Sequence, residues 1–283
     1  MGRTRKPRTI AAEDRPLTEE EAQLDAEARA YAASDAAYEQ YHEGEEDDDL
    51  GAPPSVADAI AALEICGDAE KAAGAAAYHK VPRRYLGVAV PLIEDMARLW
   101  RAQCSLEERI ALAAGLWDSD IHEAMIAATK LLTQARMRPD DAAWDLIASW
   151  VPGLNAWAVA DHACNAGSRR LVADPTRVDQ VETWLEADNM WTRRAALVIT
   201  LPWTKQNHPT TEETAIRARV LGWCVRLSED RDWFIQKAIA WWLRELSKHD
   251  AQAVRDWLEA HGGALKSFAR KEAAKFLQPS QAS

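Results

Sequence analysis

The sequence predicts an all-helical protein, a curved α-solenoid assembled from repeated helix pairs. The chain of 283 residues holds only 12 glycines and 12 prolines, and it is rich in alanine, leucine, glutamate and arginine, which favour helices. It shows no sustained alternation of β-branched and polar residues of the kind that strands require. Tryptophans and helical segments recur at a nearly constant spacing, which indicates a repeat architecture.

The first segment, residues 1–55, is predicted to be an acidic, disordered tail and linker. It contains the acidic run Glu45 to Asp49, followed by Pro53 and Pro54. Such a segment buries too little apolar surface to offset the entropy lost on ordering. Four basic residues near the amino terminus form either a nucleic-acid arm or a solvated, flexible terminus: Arg3, Arg5, Lys6 and Arg8.

The net charge of -11 argues against a polyanionic partner until it is divided along the chain. Residues 1–60 hold 6 basic and 16 acidic residues, whereas the remainder holds 28 and 29. The acidity therefore belongs to the tail. The rest of the chain is nearly neutral, so its basic residues can gather on one face and bind nucleic acid.

Residues 56–279 are predicted to be one helical domain of the HEAT or armadillo type. Trp144, Trp184, Trp223 and Trp257 fall 40, 39 and 34 residues apart, each on the first helix of a pair. The second helices contain NAWAVADHACN, MWTRRAALVITL, WFIQKAIAWWLREL and SFARKEAAKFL. Each pair buries its apolar face only against its neighbours, so we expect these four tryptophans in the core. The segment from Ser105 to Thr133 fits the same scheme less clearly.

The sequence excludes several other classes of protein. No stretch of eighteen apolar residues could span a membrane, and no secretory signal is found. The four cysteines are far apart and lack zinc-ligand spacing, so we expect reduced, mostly buried thiols in a cytoplasmic protein without metal or other cofactor. His162 and Cys164 are two residues apart, which on a helix turns them away from each other.

Residues on the second helices suggest where chemistry takes place. Trp157 and Asp161 are four residues apart, so they project from one helix face. Arg194 and Trp241 lie on the equivalent helices of the next two repeats, and stacked repeats bring equivalent helices together. An aromatic wall with a carboxylate and an arginine suits a cationic substrate held beside a phosphate. The plain alternative is that the tryptophans are core and that the two charged residues form a structural or surface pair.

Several longer segments resemble the AlkD-like family of DNA alkylation repair glycosylases. They are YLGVAVPLIEDM, NAWAVADHAC, EADNMWTRRAAL, DWFIQKAIAWWLRE and SFARKEAAKFL, in the order and spacing of the family across roughly residues 75 to 277. The resemblance implies a curved stack of HEAT-like helix pairs that binds double-stranded DNA containing alkylated bases. Family members often carry aromatic or acidic residues where this chain has Ala156 and Ala158.

Residue by residue, the resemblance implies that Asp161, Trp157 and Trp241 are catalytic. Asp161 would stabilise the positive charge that develops on the sugar, and the two tryptophans would contact the cationic nucleotide. Arg194 matches the arginine with which the family contacts DNA. Further expected contacts to the DNA backbone come from basic residues on the same helices: Arg193, Lys237, Arg244, Arg270 and Lys271. Arg244 could equally pair with Glu245 or Glu229.

The function expected from these residues is a monofunctional DNA glycosylase. It would hydrolyse the N-glycosidic bond of N3- or N7-alkylated purines such as 3-methyladenine and 7-methylguanine, act as a monomer and leave an abasic site. Two alternatives are a non-catalytic HEAT-like protein that binds DNA structures and a scaffold that binds proteins through its concave face.

Overall fold

The computed structural model describes residues 51–277, which are helical apart from turns and loops; no strand occurs in that range beyond a single bridge between Arg84 and Ile121. The all-helical fold class is therefore confirmed. The described residues divide into two compact units, 51–202 and 203–277. Residues 1–50, most of the predicted tail, lie outside the described residues, so the predicted tail and domain limits stay predictions.

The first unit contains nine of the α-helices within the described range. They are α1 (Val56–Ile65), α2 (Ala69–His79), α3 (Val90–Gln103), α4 (Leu106–Asp118), α5 (His122–Leu132), α6 (Asp141–Trp150), α7 (Trp157–Ala173), α8 (Val178–Thr183) and α9 (Met190–Val198). The second unit contains α10 (Thr211–Arg226), α11 (Trp233–Ser247), α12 (Ala251–His261) and α13 (Ser267–Ala273). No helix in residues 51–277 is long and apolar enough to cross a membrane.

Helices in the first unit alternate between two layers. One layer contains α3, α5, α7 and α9, each packed on the next. The other contains α1, α4 and α6. It is continued by α8 and the short turn after it, where the ring of Trp184 stacks on that of Trp144 with centroids 6.2 Å apart. This alternation is the helix-pair repeat that the tryptophan spacing predicts.

The centre of the first unit is α5, where every residue from His122 to Leu132 is buried. It contacts α3 and α7 within its layer and α4 across the layers. The helix pair α4–α5 corresponds to the segment from Ser105 to Thr133, which fits the repeat pattern less clearly in sequence. The reason is physical: a helix buried on all sides has no polar stripe, so its period is hidden.

The second unit contains two further helix pairs, α10–α11 and α12–α13. Helix α11 packs against both α12 and α13. Trp223 and Trp257 are buried in this unit, and the Trp257 indole N–H donates to the backbone carbonyl of Leu221 at 3.1 Å. All four repeat tryptophans are at most 7% exposed, so their predicted place in the core is confirmed.

Local sequence signals set where several helices begin. Ser55, Ser105 and Thr210 each form a reciprocal capping box with the acidic residue three positions later, at the start of α1, α4 and α10. Helix α7 differs, because its N-cap residue Ala156 has no side chain that could accept a hydrogen bond. The residue that follows this uncapped position is Trp157.

Candidate functional site

Asp161 and Arg194 form a buried, bidentate ion pair between α7 and α9. The guanidinium NH1 group donates to one carboxylate oxygen of Asp161, and NH2 donates to the other at 3.1 Å. Each of the two side chains is only 4% exposed. The predicted meeting of these two helices therefore occurs, but Arg194 binds Asp161 with both terminal nitrogens instead of presenting them at the surface.

The attraction between the Arg194 guanidinium and the Asp161 carboxylate is strong. Burial alone would lower the pKa of Arg194, but the facing carboxylate outweighs this, so the pKa of Arg194 lies above its ordinary value. Breaking a buried pair by neutralising one partner costs about 3–5 kcal/mol, because the other charge is left without compensation. Asp161 is thus held in a fixed orientation, which suits a carboxylate that acts electrostatically.

Trp157 is the first residue of α7, one helical turn before Asp161. Its ring is partly exposed, and its indole N–H has no hydrogen-bond partner among the described residues. Ala156 and Ala158 on either side are buried and contribute no functional group. The indole nitrogen itself is buried, so what Trp157 exposes one helical turn from Asp161 is part of its aromatic ring.

Two further rings pack against Trp157 and two more pack behind them, and no spacing in the sequence pointed to these four rings. His79 lies with its ring centroid 5.6 Å from that of Trp157, and Tyr78 meets Trp157 edge to face at 6.2 Å. His122 lies 4.7 Å from His79, and Tyr85 stacks on His79 within 4° of parallel. These residues come from α2, the following loop and the start of α5, so only folding brings them together.

The loop between α2 and α3 is fixed by a buried carboxylate that sequence reasoning also missed. Glu123 is 2% exposed, and its two oxygens accept the backbone N–H groups of Leu86 and Gly87 at 2.8 and 2.7 Å. The backbone N–H of His122 donates to the carbonyl of Arg84 at 3.0 Å. The start of α5 therefore holds Tyr85 at the ring cluster.

Arg83 connects the same loop to the residues that precede Trp157. Its NH2 group donates to the side-chain oxygen of Asn155 at 2.6 Å and lies 3.2 Å from the carboxylate of Asp120. The Arg83 side chain is 2% exposed, so its contacts to Asn155 and Asp120 hold parts of the fold together and do not face solvent through the arginine. It ties the beginning of α7 to the α2–α3 loop and to the turn before α5.

Trp241, the second predicted tryptophan of the site, lies partly exposed on α11 in the second unit. Lys237 is one turn earlier on α11, with its ammonium nitrogen 6.0 Å from the centroid of the Trp233 ring. Burial lowers the pKa of Lys237 to about 8, against the opposing attraction of Glu272. A lysine of this kind still carries charge at neutral pH, although less firmly than an exposed one.

The other basic residues predicted to contact DNA differ in whether their side chains already bind other groups of the protein. Arg193 donates to the backbone carbonyls of Ala187 and Asp188, both at 2.8 Å. Arg244 pairs with Glu245, one of the two expected alternatives, and also with Glu272. Arg270 and Lys271, by contrast, are exposed on α13. Phosphate binding thus suits α13 best, since its charges need not leave a buried partner.

Other chemistry finds little support in residues 51–277. No group of three or more histidine, cysteine, aspartate or glutamate side chains could hold a metal ion there. All four cysteines are free, three of them buried, as expected for reduced thiols. Burial also holds the pKa of the Cys164 thiol well above its usual range and that of His162 well below, so the two cannot act as a nucleophile and base pair.

Comparison with known families decides what kind of protein carries this site. A family model described as DNA alkylation repair enzyme matches residues 59–277. The chain belongs to this family. Membership implies a DNA-binding protein with a role in the repair of alkylated DNA, and the match runs from within α1 to beyond the end of α13.

Solved structures of DNA alkylation repair proteins share the fold. A predicted DNA alkylation repair enzyme from Enterococcus faecalis is 22% identical, with a TM-score of 0.64 over 76% of this chain and 98% of that one. AlkD2 from Streptococcus mutans is 21% identical, with a TM-score of 0.52 over 68% of this chain and 91% of its own. Among curated proteins, no sequence matches this DNA alkylation repair family member.

Proposed function

We propose that this member of the DNA alkylation repair family is a monofunctional DNA glycosylase acting on N3- and N7-alkylated purines in duplex DNA. The observation that carries the proposal is the fixed, buried carboxylate of Asp161 with the partly exposed ring of Trp157 one turn away. The expected products are the free alkylated base and an abasic site. The protein acts as a monomer and needs no cofactor for this reaction.

The reaction needs no acid catalysis at the leaving base. An N3- or N7-alkylated purine already carries a positive charge, so the electron pair of the breaking C1′–N bond neutralises the base without an added proton. Water attacks C1′, forms the new C–O bond and loses one proton to solvent. The enzyme must stabilise the positive charge that develops on the sugar. A carboxylate about 4 Å away supplies on the order of 4 kcal/mol at an effective dielectric constant near 20, before desolvation costs.

Arg194 acts in this scheme through Asp161. Its two terminal nitrogens are occupied by the carboxylate, so a direct phosphate contact would require the pair to open. Arg194 is therefore proposed as a positioning residue that fixes the orientation of Asp161. Trp157 contacts the nucleotide in this proposal, and cation–π attraction by its ring favours a charged base over a neutral one by about 0.5–2 kcal/mol. Trp241 keeps its predicted catalytic role as a proposal for the second unit.

Exposed basic residues complete the grip on the DNA backbone in this proposal. Arg270 and Lys271 on α13 offer charges free of buried partners, whereas Lys237, Arg193 and Arg244 are partly engaged with other groups. Phosphate contacts of this kind fix position on the duplex without reading sequence. Selectivity for damage then rests on the charge of the base.

The direct test is Asp161→Asn assayed on methylated duplex DNA. The variant loses the carboxylate charge, so we expect the rate of 7-methylguanine and 3-methyladenine release to fall by about 10²-fold or more while DNA affinity changes little. Base release is measured by mass analysis in a single-turnover assay, and affinity by fluorescence anisotropy. Far-UV circular dichroism at the assay temperature verifies that the variant is folded, because loss of the pair also costs stability.

Asp141→Asn is the matched control for this experiment. Asp141 is in the same unit, its side chain is 82% exposed, and it pairs with Arg177. We expect the control to release alkylated bases at the wild-type rate. Release by Asp161→Asn at the wild-type rate would contradict the proposed role of Asp161.

One observation favours the alternative of a non-catalytic protein that binds DNA structures. The Asp161–Arg194 pair is closed in the structure, and each side chain is 4% exposed. Wild-type protein that binds alkylated DNA but releases no base would support this alternative and contradict the glycosylase.

A further inference from the structure

The rings around Trp157 have no part in the reaction proposed above. His79 lies at their centre, with its centroid 5.6 Å from Trp157, 4.7 Å from His122 and 5.9 Å from Tyr85. No hydrogen bond within the described residues fixes the orientation of the Trp157 ring, because its indole N–H has no partner there. Ring-to-ring packing is therefore a major determinant of its orientation.

We propose that His79, backed by Tyr85 and His122, is a positioning residue that holds the Trp157 ring in place for the bound nucleotide. The effect on base release rests on the proposed glycosylase activity, whereas the effect on the Trp157 ring does not. The inference adds two elements, the end of α2 and the start of α5, to the determinants of the site.

The backing of His79 is rigid because each of its neighbours is fixed by another element. His122 begins α5, and its backbone N–H donates to the carbonyl of Arg84, the residue before Tyr85. Tyr85 stacks against His79 within 4° of parallel and lies 4.9 Å from His122. His79 thus lies between the rings of Tyr85 and His122 and that of Trp157, with the Tyr78 ring edge to face at 4.9 Å.

The His122 ring behaves as a neutral aromatic. Burial, reinforced by the charges of His79 and Arg83, lowers the pKa of His122 to about 3. A neutral ring packs against another ring without the cost of a buried charge. His122 thereby supports His79 over the whole physiological pH range.

A double-mutant cycle tests the positioning role. We expect His79→Ala to lower the single-turnover rate of 7-methylguanine release at saturating enzyme by about three- to tenfold, with DNA affinity unchanged. In a Trp157→Ala background the same change should have no further effect, because the ring that it positions is gone. His79→Phe should restore the rate, since it keeps a ring. His249→Ala, which removes a contact to Asn207 in the second unit, serves as the control.

A second measurement is independent of catalysis. The protein is labelled with 5-fluorotryptophan, and the fluorine resonance of Trp157 is identified by its loss in Trp157→Phe. We expect His79→Ala to shift or broaden that resonance, and His79→Phe to leave it sharp. The other twelve tryptophans provide an internal measure of whether the fold is intact.

Two outcomes would overturn the inference: equal loss of rate in the wild-type and Trp157→Ala backgrounds, or a Trp157 resonance that His79→Ala leaves unchanged. If wild-type protein releases no base, the proposed glycosylase fails, and the fluorine resonance alone then decides the inference. A displaced resonance in that case still supports positioning of Trp157 by His79.

Discussion

His122 is the residue of the ring cluster whose protonation makes the stability of the fold depend on pH. Its pKa is about 3 in the folded protein, below the ordinary histidine value of 6.5, because of burial and the nearby charges of His79 and Arg83. Between these two values the unfolded chain binds a proton that the folded chain does not. Stability therefore rises with pH across this window, is complete above pH 6.5, and is lost as the pH falls.

We predict that His122→Gln weakens the acid sensitivity of the fold. The wild-type free energy of unfolding should fall by up to about 1.4 kcal/mol per pH unit for this histidine below pH 6.5, and the variant should lack that contribution. Urea unfolding between pH 4.5 and 8 measures both slopes. Other groups, including buried His162, contribute to both proteins, so the difference isolates His122. Identical slopes would contradict the prediction.

The positions of Asp161 and Arg194 on neighbouring helices could be predicted from the sequence. Four-residue spacing and repeat equivalence predicted which helices carry Trp157, Asp161 and Arg194, and the structure brings the aspartate and arginine into contact. The sequence left two roles open for Arg194, a contact to DNA or an ion pair, and could not decide between them. Whether a guanidinium meets a phosphate or a carboxylate depends on the packing of α7 on α9, which periodicity does not specify.

At the scale of elements, the α2–α3 loop depends on Gly87. Its φ of +77° lies in the left-handed region, and a Cβ there would come within 2.1 Å of the carbonyl oxygen of Asp68 and 2.6 Å of the amide of Ala72. Both contacts are to backbone, which cannot move aside easily. The close approach of this loop to α2 therefore requires glycine.

We predict that Gly87→Ala destabilises the protein by at least about 2 kcal/mol, since it combines strain with a backbone clash. Gly74→Ala, in the exposed middle of α2, is the matched control because nothing lies within 4 Å of its added Cβ. It should stabilise the helix by about 0.5–1 kcal/mol. Thermal and urea unfolding measure both changes. Equal effects of the two substitutions would show that the loop tolerates a side chain.

Helix α5 shows why element prediction was uneven. Helices α11 and α12 were predicted from the tryptophan repeat, but α5 is buried on every side and carries Glu123 and Lys130 inside the protein. In a sequence, charged residues such as these indicate a solvent-exposed helix face. Their burial is possible only because other elements supply partners: the N–H groups of Leu86 and Gly87 for Glu123, and Glu94 for Lys130.

At the scale of the whole molecule, charge is distributed very unevenly along the chain. The first 60 residues hold 16 of the 45 acidic residues and only 6 of the 34 basic ones. The nearly neutral remainder should bind undamaged DNA weakly and lose that binding steeply with salt. The acidic segment should compete with DNA for the same basic residues.

We predict that removing residues 1–50 raises affinity for undamaged duplex DNA several-fold at low salt, and that the gain disappears as salt shortens the screening length. Ser55 is kept because it caps α1. A full-length chain in which the acidic run is neutralised to glutamine and asparagine is the control that separates charge from length. The substituted residues are Glu45, Glu46, Asp47, Asp48 and Asp49. Affinity and salt dependence that match wild type in both variants would contradict competition by the tail.

The sequence by itself determined the helical fold, the repeat of helix pairs and the residue types of the candidate site, because periodicity and spacing along a helix are local properties. Tertiary structure decided the contacts between segments distant in sequence. The Asp161–Arg194 pair closes across two repeats, and the His79 ring cluster gathers residues from α2, a loop, α5 and α7. Such contacts depend on how helices pack on one another, and side-chain packing is specified only when the whole unit folds.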